Sequence, residues 1–158
     1  MRIYQKSTHF LDTEGLIVKK YESNITTHRH SHDFIEIVFV LSGSGAHEIG
    51  NTAYAIAPGC FYIVKSGETH DMRFSEFSAY YNIFLKDEYL AGIPLDPDDG
   101  GSLLSFICSL SQSESVVCFD ADKRLTMELH IPQPVSGIRQ AQTWQRCACK
   151  KLSADPVS

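Results

Sequence analysis

The sequence predicts a mainly β fold, an antiparallel sandwich or small barrel, followed by short helices. Up to about residue 95, short apolar runs alternate with turn-forming residues at intervals of about ten residues. No helix-like segment links these runs, which argues against a parallel sheet with helical crossovers.

The strands are indicated one by one along the chain. Residues 35–41 (IEIVFVL) form a strong strand pattern that ends at the turn SGSG. Residues 46–56 are typical of a hairpin, because Gly50 and Asn51 can supply the positive φ angles of a two-residue turn. The strands predicted after it, separated by the turns PG and KSGE, are residues 60–64, 70–74 and 77–85.

The character of the sequence changes near residue 93, where a loop rich in Pro, Asp and Gly follows. Ser102 is a good N-cap for a helix over residues 102–110, and Asp120 or Asp122 for one that ends near residue 130, before two prolines. A short strand is predicted at residues 116–119. We therefore expect a barrel at residues 1–93, a helical extension at 94–131 and a poorly structured or marginally helical tail at 132–158.

Composition excludes several classes of protein. The net charge of -5 gives no electrostatic footprint for nucleic acid. The N-terminus lacks the apolar core of a signal peptide, and no stretch approaches the ~18 apolar residues of a membrane span. Five cysteines, an odd number without framework spacing, argue against a disulfide scaffold and for a reducing cytoplasm.

The stretch THRHSHDFIEIVFV concentrates polar chemistry just before the strongest strand. In a strand, His30 and His32 point to the same side, and Glu36 follows at the start of the next strand. Two imidazoles and a carboxylate can bind a divalent transition metal, with His70 as a fourth ligand from a later strand. The same histidines could instead be a solvated polar strand end.

The spacing resembles the two cupin motifs, in which two histidines and a glutamate of the first motif converge with a histidine of the second. The resemblance implies a double-stranded β-helix, or jelly-roll, barrel with His30, His32, Glu36 and His70 as metal ligands. Over residues 25–90 the chain is more closely similar to the N-terminal domain of AraC/XylS-type transcription regulators, in particular the rhamnose-responsive members. The shared motifs are HDFIEI, GSGAH, the YAI hairpin, VKSGETH and the later Asn82.

In that family the barrel binds a small effector, often a sugar, the following helices mediate dimerisation, and a separate C-terminal domain binds DNA. The resemblance implies a sugar-like effector, a homodimer, and DNA binding only through a domain that this chain lacks. No basic recognition helix follows residue 90. An N-terminal arm over residues 1–20 could close the barrel mouth. The chain departs from the family at Cys60, where Asp is usual, and at Ser66, where cupins often have Pro.

Effector contacts are predicted from strand parity and side-chain chemistry. Residues that share parity with Glu36 or His70 should face the barrel interior, and tyrosine and asparagine tips suit a polar ligand. The candidates are His28, Val38, Val40, Tyr62, Met72, Phe74, Tyr80 and Asn82. The apolar and tyrosine residues could instead belong to the packed core, Asn82 could serve the strand register, and His28 could be a solvated strand-end residue. His47 is expected on the surface.

Two functions remain open on these observations. One is an effector-binding sensor, with or without one divalent transition metal (Zn, Ni, Mn or Fe); without a metal, the same polar groups would hydrogen-bond a sugar directly. The other is a standalone metal-dependent cupin enzyme, an isomerase, epimerase or dioxygenase, for which the four predicted ligands would suffice.

Overall fold

The computed structural model describes residues 2–5, 10, 14–24, 26–94 and 102–130. The predicted tail at 132–158 lies outside the described residues. The mainly β class is confirmed. The strands are β1 Arg2–Tyr4, β2 Leu16–Ser23, β3 His30–His32, β4 Ile35–Ser42, β5 Gly45–Ile49, β6 Thr52–Ile56, β7 Cys60–Val64, β8 Thr69–Phe74, β9 Ser78–Leu85 and β10 Val116–Cys118.

The strands form two five-stranded sheets. One has the order β1-β3-β8-β5-β6 and the other β10-β7-β4-β9-β2. Pairing is antiparallel throughout, except that β1 runs parallel to β3. From β3 to β9 the chain passes repeatedly from one sheet to the other, which is the wiring of a jelly roll. The predicted cupin-type double-stranded β-helix is therefore confirmed.

Strand β4 is apolar without alternation because both of its faces are covered. Val38 and Val40 pack between the sheets, against residues such as Ile49 and Met72. Ile35 belongs to a second cluster outside the barrel, built with residues of the helical extension. A continuous apolar run is the pattern expected of a strand buried on both sides.

Three α-helices follow the barrel in the described residues, α1 Asp87–Ala91, α2 Leu103–Ser109 and α3 Ala121–His130, and a 3-10 helix, Gln112–Ser115, lies between α2 and β10. The predicted capping of α2 is confirmed, since the Ser102 side chain accepts a hydrogen bond from the backbone N–H of Ser105. Leu90 and Ile107 pack with Ile35 and Ile83 on the outer face of the second sheet. The extension thus supports the strand that carries Glu36. No helix in the described ranges is long and apolar enough to cross a membrane.

The hairpin between β5 and β6 has the predicted position but a different turn. Gly50 has a φ of 59°, whereas no residue other than glycine has a positive φ in the described part of the chain. Asn51 therefore does not adopt the left-handed conformation that a type I′ turn would require. The glycine alone supplies the positive φ, as at the first central position of a type II′ turn.

The cysteine count gives no hint of a disulfide, yet the structure links Cys60 to Cys118. The two residues lie opposite each other in the register of β7 and β10. The bond ties the short last strand of the second sheet to the barrel core. The sequence argument against a disulfide scaffold did not foresee this single bond; Cys108 is free and exposed.

Candidate functional site

Three strands bring the predicted metal ligands together inside the barrel. His30 on β3 lies opposite His70 on β8 in the register of the first sheet, with 4.2 Å between ring centroids. Glu36 enters from β4 of the second sheet. His30, Glu36 and His70 each offer a ligand atom, and these atoms lie within 4.8 Å of one another. Two sheets thus contribute to one site, which fixes its geometry through the barrel itself.

Glu36 lies at the centre of the cluster. Its Oε2 is 3.2 Å from Nε2 of His32 and 3.4 Å from Nε2 of His70. All three side chains are buried, with residue exposures of 3% or less. Neither Nε2 atom makes a hydrogen bond of acceptable direction, despite the short distances. His32 and His70 thus both lie beside Glu36, whereas the set whose ligand atoms all lie within 4.8 Å of one another contains His30, Glu36 and His70 but not His32.

Backbone carbonyls set the tautomers of two of the histidines. Nδ1 of His30 lies 2.8 Å from the carbonyl oxygen of His28, and Nδ1 of His32 lies 2.6 Å from that of Phe34. A carbonyl oxygen only accepts hydrogen bonds, so each Nδ1 carries a proton that it donates. In the neutral rings, Nε2 is then left as an unprotonated lone pair. Histidines that bind metals through Nε2 are oriented in this way.

The residues present fit a divalent transition metal. A neutral His32 directs its Nε2 lone pair at a carboxylate oxygen 3.2 Å away, and the two repel unless positive charge lies between them. Its Nε2 and that of His70 are buried without hydrogen bonds, which is costly for polar atoms. Three imidazoles and one carboxylate are the donor set that Zn, Ni, Mn or Fe accepts.

Burial shifts the pKa values of the cluster. Burial raises the pKa of Glu36, but the interactions with His32, His70 and His30 outweigh it, so the net pKa is lowered. Burial is also the main cause that lowers the pKa of His70 to about 3, against the attraction of Glu36. Near neutral pH the site therefore holds a carboxylate beside a neutral imidazole, as metal binding requires.

The expectation that His47 lies on the surface is wrong. Its side chain is fully buried, and its Nε2 lies 3.0 Å from Nδ1 of His70. Burial, followed by repulsion from His30, lowers the pKa of His47 to about 3. The sequence did contain a signal for this burial. Side chains alternate between the two faces of a strand, so His47 shares a face with the apolar Ile49, while Glu48 points to the opposite face.

A cavity of about 590 Å³ opens above the cluster. Among the predicted effector contacts, His28, Met72, Tyr80 and Asn82 line it. The others do not: Val38, Val40 and Tyr62 lie in the core cluster, and Phe74 packs against that cluster and stacks on Tyr80.

Sequence reasoning missed several residues of the cavity wall. Phe84 has the same parity on β9 as Tyr80 and Asn82, so the parity rule would have found it. The remaining missed residues come from β1 and β2, which carry no motif, and from the histidine-rich stretch around β3, where only the histidines and Glu36 are predicted as site residues. They are Arg2, Tyr4, Tyr21, Thr27, Arg29 and Phe34.

The fold and the site define a cupin barrel with an internal ligand cavity. The profile of the AraC-like ligand binding domain matches residues 17–121, more than half of the chain. The chain belongs to this family of AraC-like ligand-binding domains.

A comparison with curated protein sequences finds no significant match. Among solved structures, an RmlC-like cupin from Shewanella frigidimarina is similar at 14% identity and a TM-score of 0.43, over 45% of this chain and 66% of its own. A cupin-2 domain protein from the same organism gives 17% identity and a TM-score of 0.43, over 48% and 76%. A protein of Thermotoga maritima, described as a predicted oxalate decarboxylase, gives 19% and 0.39, over 45% and 64%.

Proposed function

We propose that this chain is the effector-binding and dimerising part of an AraC-type transcription regulator that acts in the cytoplasm. Its effector is a sugar or a similarly polar small molecule, held in the cavity between the two sheets. The chain itself does not contact DNA; that role belongs to a helix-turn-helix domain outside it. The observation that carries the proposal is a cavity of about 590 Å³ that combines aromatic walls with buried, unsatisfied polar groups, in a chain of this family.

The aromatic wall suits the apolar faces of a sugar ring. The rings of Tyr21 and Tyr80 stack with centroids 5.4 Å apart and an interplanar angle of 20°, and Phe84 continues the wall on β9. Such rings bury large apolar surfaces and, for tyrosine, add a polar tip. They therefore favour a flat or ring-shaped ligand that carries hydroxyl groups.

Asn82 supplies the polar side of recognition. Its Oδ1 is buried and has no hydrogen-bond partner, although its side chain lines the cavity. A buried amide oxygen without a donor costs about 1–3 kcal/mol, so a ligand hydroxyl that donates to it gains that amount relative to an apolar ligand. His28, also on the cavity wall, offers a second polar contact.

A divalent metal, when bound, would be held by His30, His32, Glu36 and His70 and would act as a Lewis acid towards ligand oxygens. The protein's own contribution is to hold Glu36 ionised and His70 neutral in the cavity lining. Because the cluster lies in the cavity floor, a hydroxyl-rich effector would reach it after passing the aromatic wall.

The N-terminal strand β1 could couple effector binding at the site to the rest of the regulator. Tyr4 of β1 meets the ring of His30 edge to face at 5.0 Å, and its carbonyl accepts a hydrogen bond from the backbone N–H of Asp33. Arg2 and Tyr4 both line the cavity. An effector that contacts these residues would stabilise the arm in place, and so couple binding to the position of the attached domains.

A binding screen tests the effector proposal. Thermal shift and calorimetry with pentoses, hexoses and deoxyhexoses should find a sugar that stabilises the protein. Asn82→Ala should weaken its binding by about 10- to 100-fold through loss of one buried hydrogen bond. Asn51→Ala, at the exposed hairpin turn, is the matched control and should bind normally. If no polar small molecule binds, or both variants behave alike, the effector site is wrongly assigned.

A metal-dependent enzyme is a second candidate, favoured by the three-histidine and one-carboxylate donor set. Elemental analysis of purified protein should show near-stoichiometric metal that is lost in the His30→Ala/His70→Ala double variant and kept in His28→Ala. Metal-loaded protein would then be assayed for sugar isomerisation, epimerisation and oxygen consumption. Turnover that disappears in the double variant would establish the enzyme; metal without turnover would leave the metal as part of an effector site.

A further inference from the structure

His47 is a buried polar residue that neither the effector cavity nor the ligand set uses. It lies on β5 opposite Met72, which makes it the diagonal neighbour of His70 on β8. Its Nε2 lies 3.0 Å from Nδ1 of His70, while its Nδ1 is buried without a partner. The ring of Tyr62 lies 5.3 Å away, but the hydroxyl of Tyr62 already bonds Ala55 and Ala57. The main polar contact of His47 is therefore His70.

The hydrogen-bond partner of Nδ1 in His70 is a side chain, whereas the partners of Nδ1 in His30 and His32 are backbone carbonyls. The Nδ1 atoms of His30 and His32 face backbone carbonyls, which only accept, so those two tautomers are fixed. The Nδ1 of His70 faces an imidazole nitrogen, which can either donate or accept. The hydrogen bond between His47 and His70 can thus run in two directions.

Each direction suits a different state of the site. When His47 donates, Nδ1 of His70 accepts and Nε2 of His70 carries the proton, which then faces the Glu36 carboxylate at 3.4 Å. When His70 donates from Nδ1, its Nε2 becomes a lone pair beside the same carboxylate, an arrangement that repels unless a cation lies between them. Both states contain two neutral imidazoles. Passage from the first to the second moves the shared proton from Nε2 of His47 to Nδ1 of His70, while Nε2 of His70 loses a proton and Nδ1 of His47 gains one, so the net charge does not change.

We propose that His47 is a positioning residue for His70, and that the hydrogen bond between them reverses when a divalent cation binds. Without the cation His47 donates, and the protonated Nε2 of His70 faces the Glu36 carboxylate. With the cation His70 donates to His47, which fixes the tautomer whose Nε2 is free to coordinate. This inference rests on the proposed metal site and deepens it. It gives the ligand His70 a hydrogen-bond partner, His47, whose role as donor or acceptor changes when the cation binds.

The reversal has a spectroscopic signature that a merely structural role for His47 would not give. In ¹⁵N-labelled protein, long-range ¹H–¹⁵N correlation spectra distinguish protonated from unprotonated ring nitrogens. We expect Nε2 of His70 to be protonated in metal-free protein and unprotonated after titration with Zn²⁺, with Nδ1 of His47 changing in the opposite sense. The tautomers of His30 and His32 should stay the same. A His70 tautomer that is unchanged on Zn²⁺ binding would overturn the inference.

Two substitutions extend the test to affinity. His47→Phe keeps a ring but removes the hydrogen bond, and should weaken Zn²⁺ binding by about 10- to 100-fold, the usual effect of losing a support to a metal ligand. His47→Gln can still accept from Nδ1 of His70 and should restore most of the affinity. Full affinity in both variants would overturn the positioning role. Wild-type protein that binds no Zn²⁺ would overturn the metal site itself and this inference with it, whereas binding without tautomer reversal overturns this inference alone.

Discussion

The hydroxyl of Tyr62 accepts a hydrogen bond from the backbone N–H of Ala57 at 3.1 Å and donates one to the carbonyl of Ala55 at 2.6 Å. Ala55 lies near the end of β6, and Ala57 belongs to the segment that links β6 to β7. Tyr62 is fully buried in the core cluster and does not line the cavity. Its polar tip thus closes a turn from the inside, which is a structural task and not a ligand contact.

Tyr62→Phe should therefore change stability without changing ligand binding. Loss of the hydroxyl removes two hydrogen bonds at a partly buried position, which should lower the free energy of unfolding by about 1–3 kcal/mol. Urea unfolding measures this, and effector affinity should stay at the wild-type value. Tyr80→Phe, on the cavity wall, is the comparison and should affect affinity more than stability. The same loss of affinity in both variants would contradict this division of roles.

Acid should destabilise the protein through its buried histidines. The pKa values of His47 and His70 are lowered from 6.5 to about 3, chiefly by burial. Between those values the unfolded chain binds more protons than the folded one, so the free energy of unfolding falls as the pH drops below 6.5. The limiting slope is about 1.4 kcal/mol per pH unit for each histidine. The lowered pKa of Glu36 adds a loss of stability in the same direction below 4.5.

Urea unfolding at several pH values between about 7.5 and about 5 measures this slope. His47→Phe should flatten it, because one of the two groups is removed. His28→Gln removes an exposed histidine and should keep the wild-type slope. Equal slopes in all three proteins would show that the buried histidines do not control the acid response.

The fold was predictable from the sequence wherever the pattern was local. The run at β4 is apolar because the strand is covered on both sides, and Ser102 begins a helix because its side chain satisfies a free N–H. By contrast, β2 carries two lysines and a glutamate in eight residues, since it is an edge strand with much of its length exposed. Strand β2 is held in the sheet by pairing with β9 along its whole length, and no local sequence pattern predicts this pairing.

The same distinction, between local sequence patterns and long-range pairing, applies to the residues of the site. His30, His32, Glu36 and His70 could be assembled from spacing and parity, and the structure places them together. The arm residues Arg2 and Tyr4 reach the cavity only because β1 pairs with β3 across some 28 residues of chain, a long-range contact without a motif. The domain boundaries at residues 93 and 131 stay predictions.

The disulfide should contribute measurably to stability. It joins residues 58 apart in sequence and so restricts a long loop in the unfolded chain. Cys60→Ser/Cys118→Ser should lower the free energy of unfolding by about 2–4 kcal/mol relative to the oxidised protein. Cys108→Ser, which changes a free and exposed cysteine, is the control and should unfold like the wild type. An unfolding midpoint that does not respond to dithiothreitol would argue that the bond does not form in solution.

Self-association should depend on the last described helix. Leu125 and Leu129 of α3 are 61% and 76% exposed and lie one turn apart on the same face, an apolar pair that a second copy of the chain could cover. Leu125→Glu/Leu129→Glu should weaken dimerisation by at least about tenfold, as measured by sedimentation equilibrium, because each charge would be buried in the interface. Phe77→Glu changes an equally exposed apolar residue in the turn before β9 and should leave the dimer intact. Unchanged association of the double variant, or loss of the dimer in the Phe77 variant, would place the interface elsewhere.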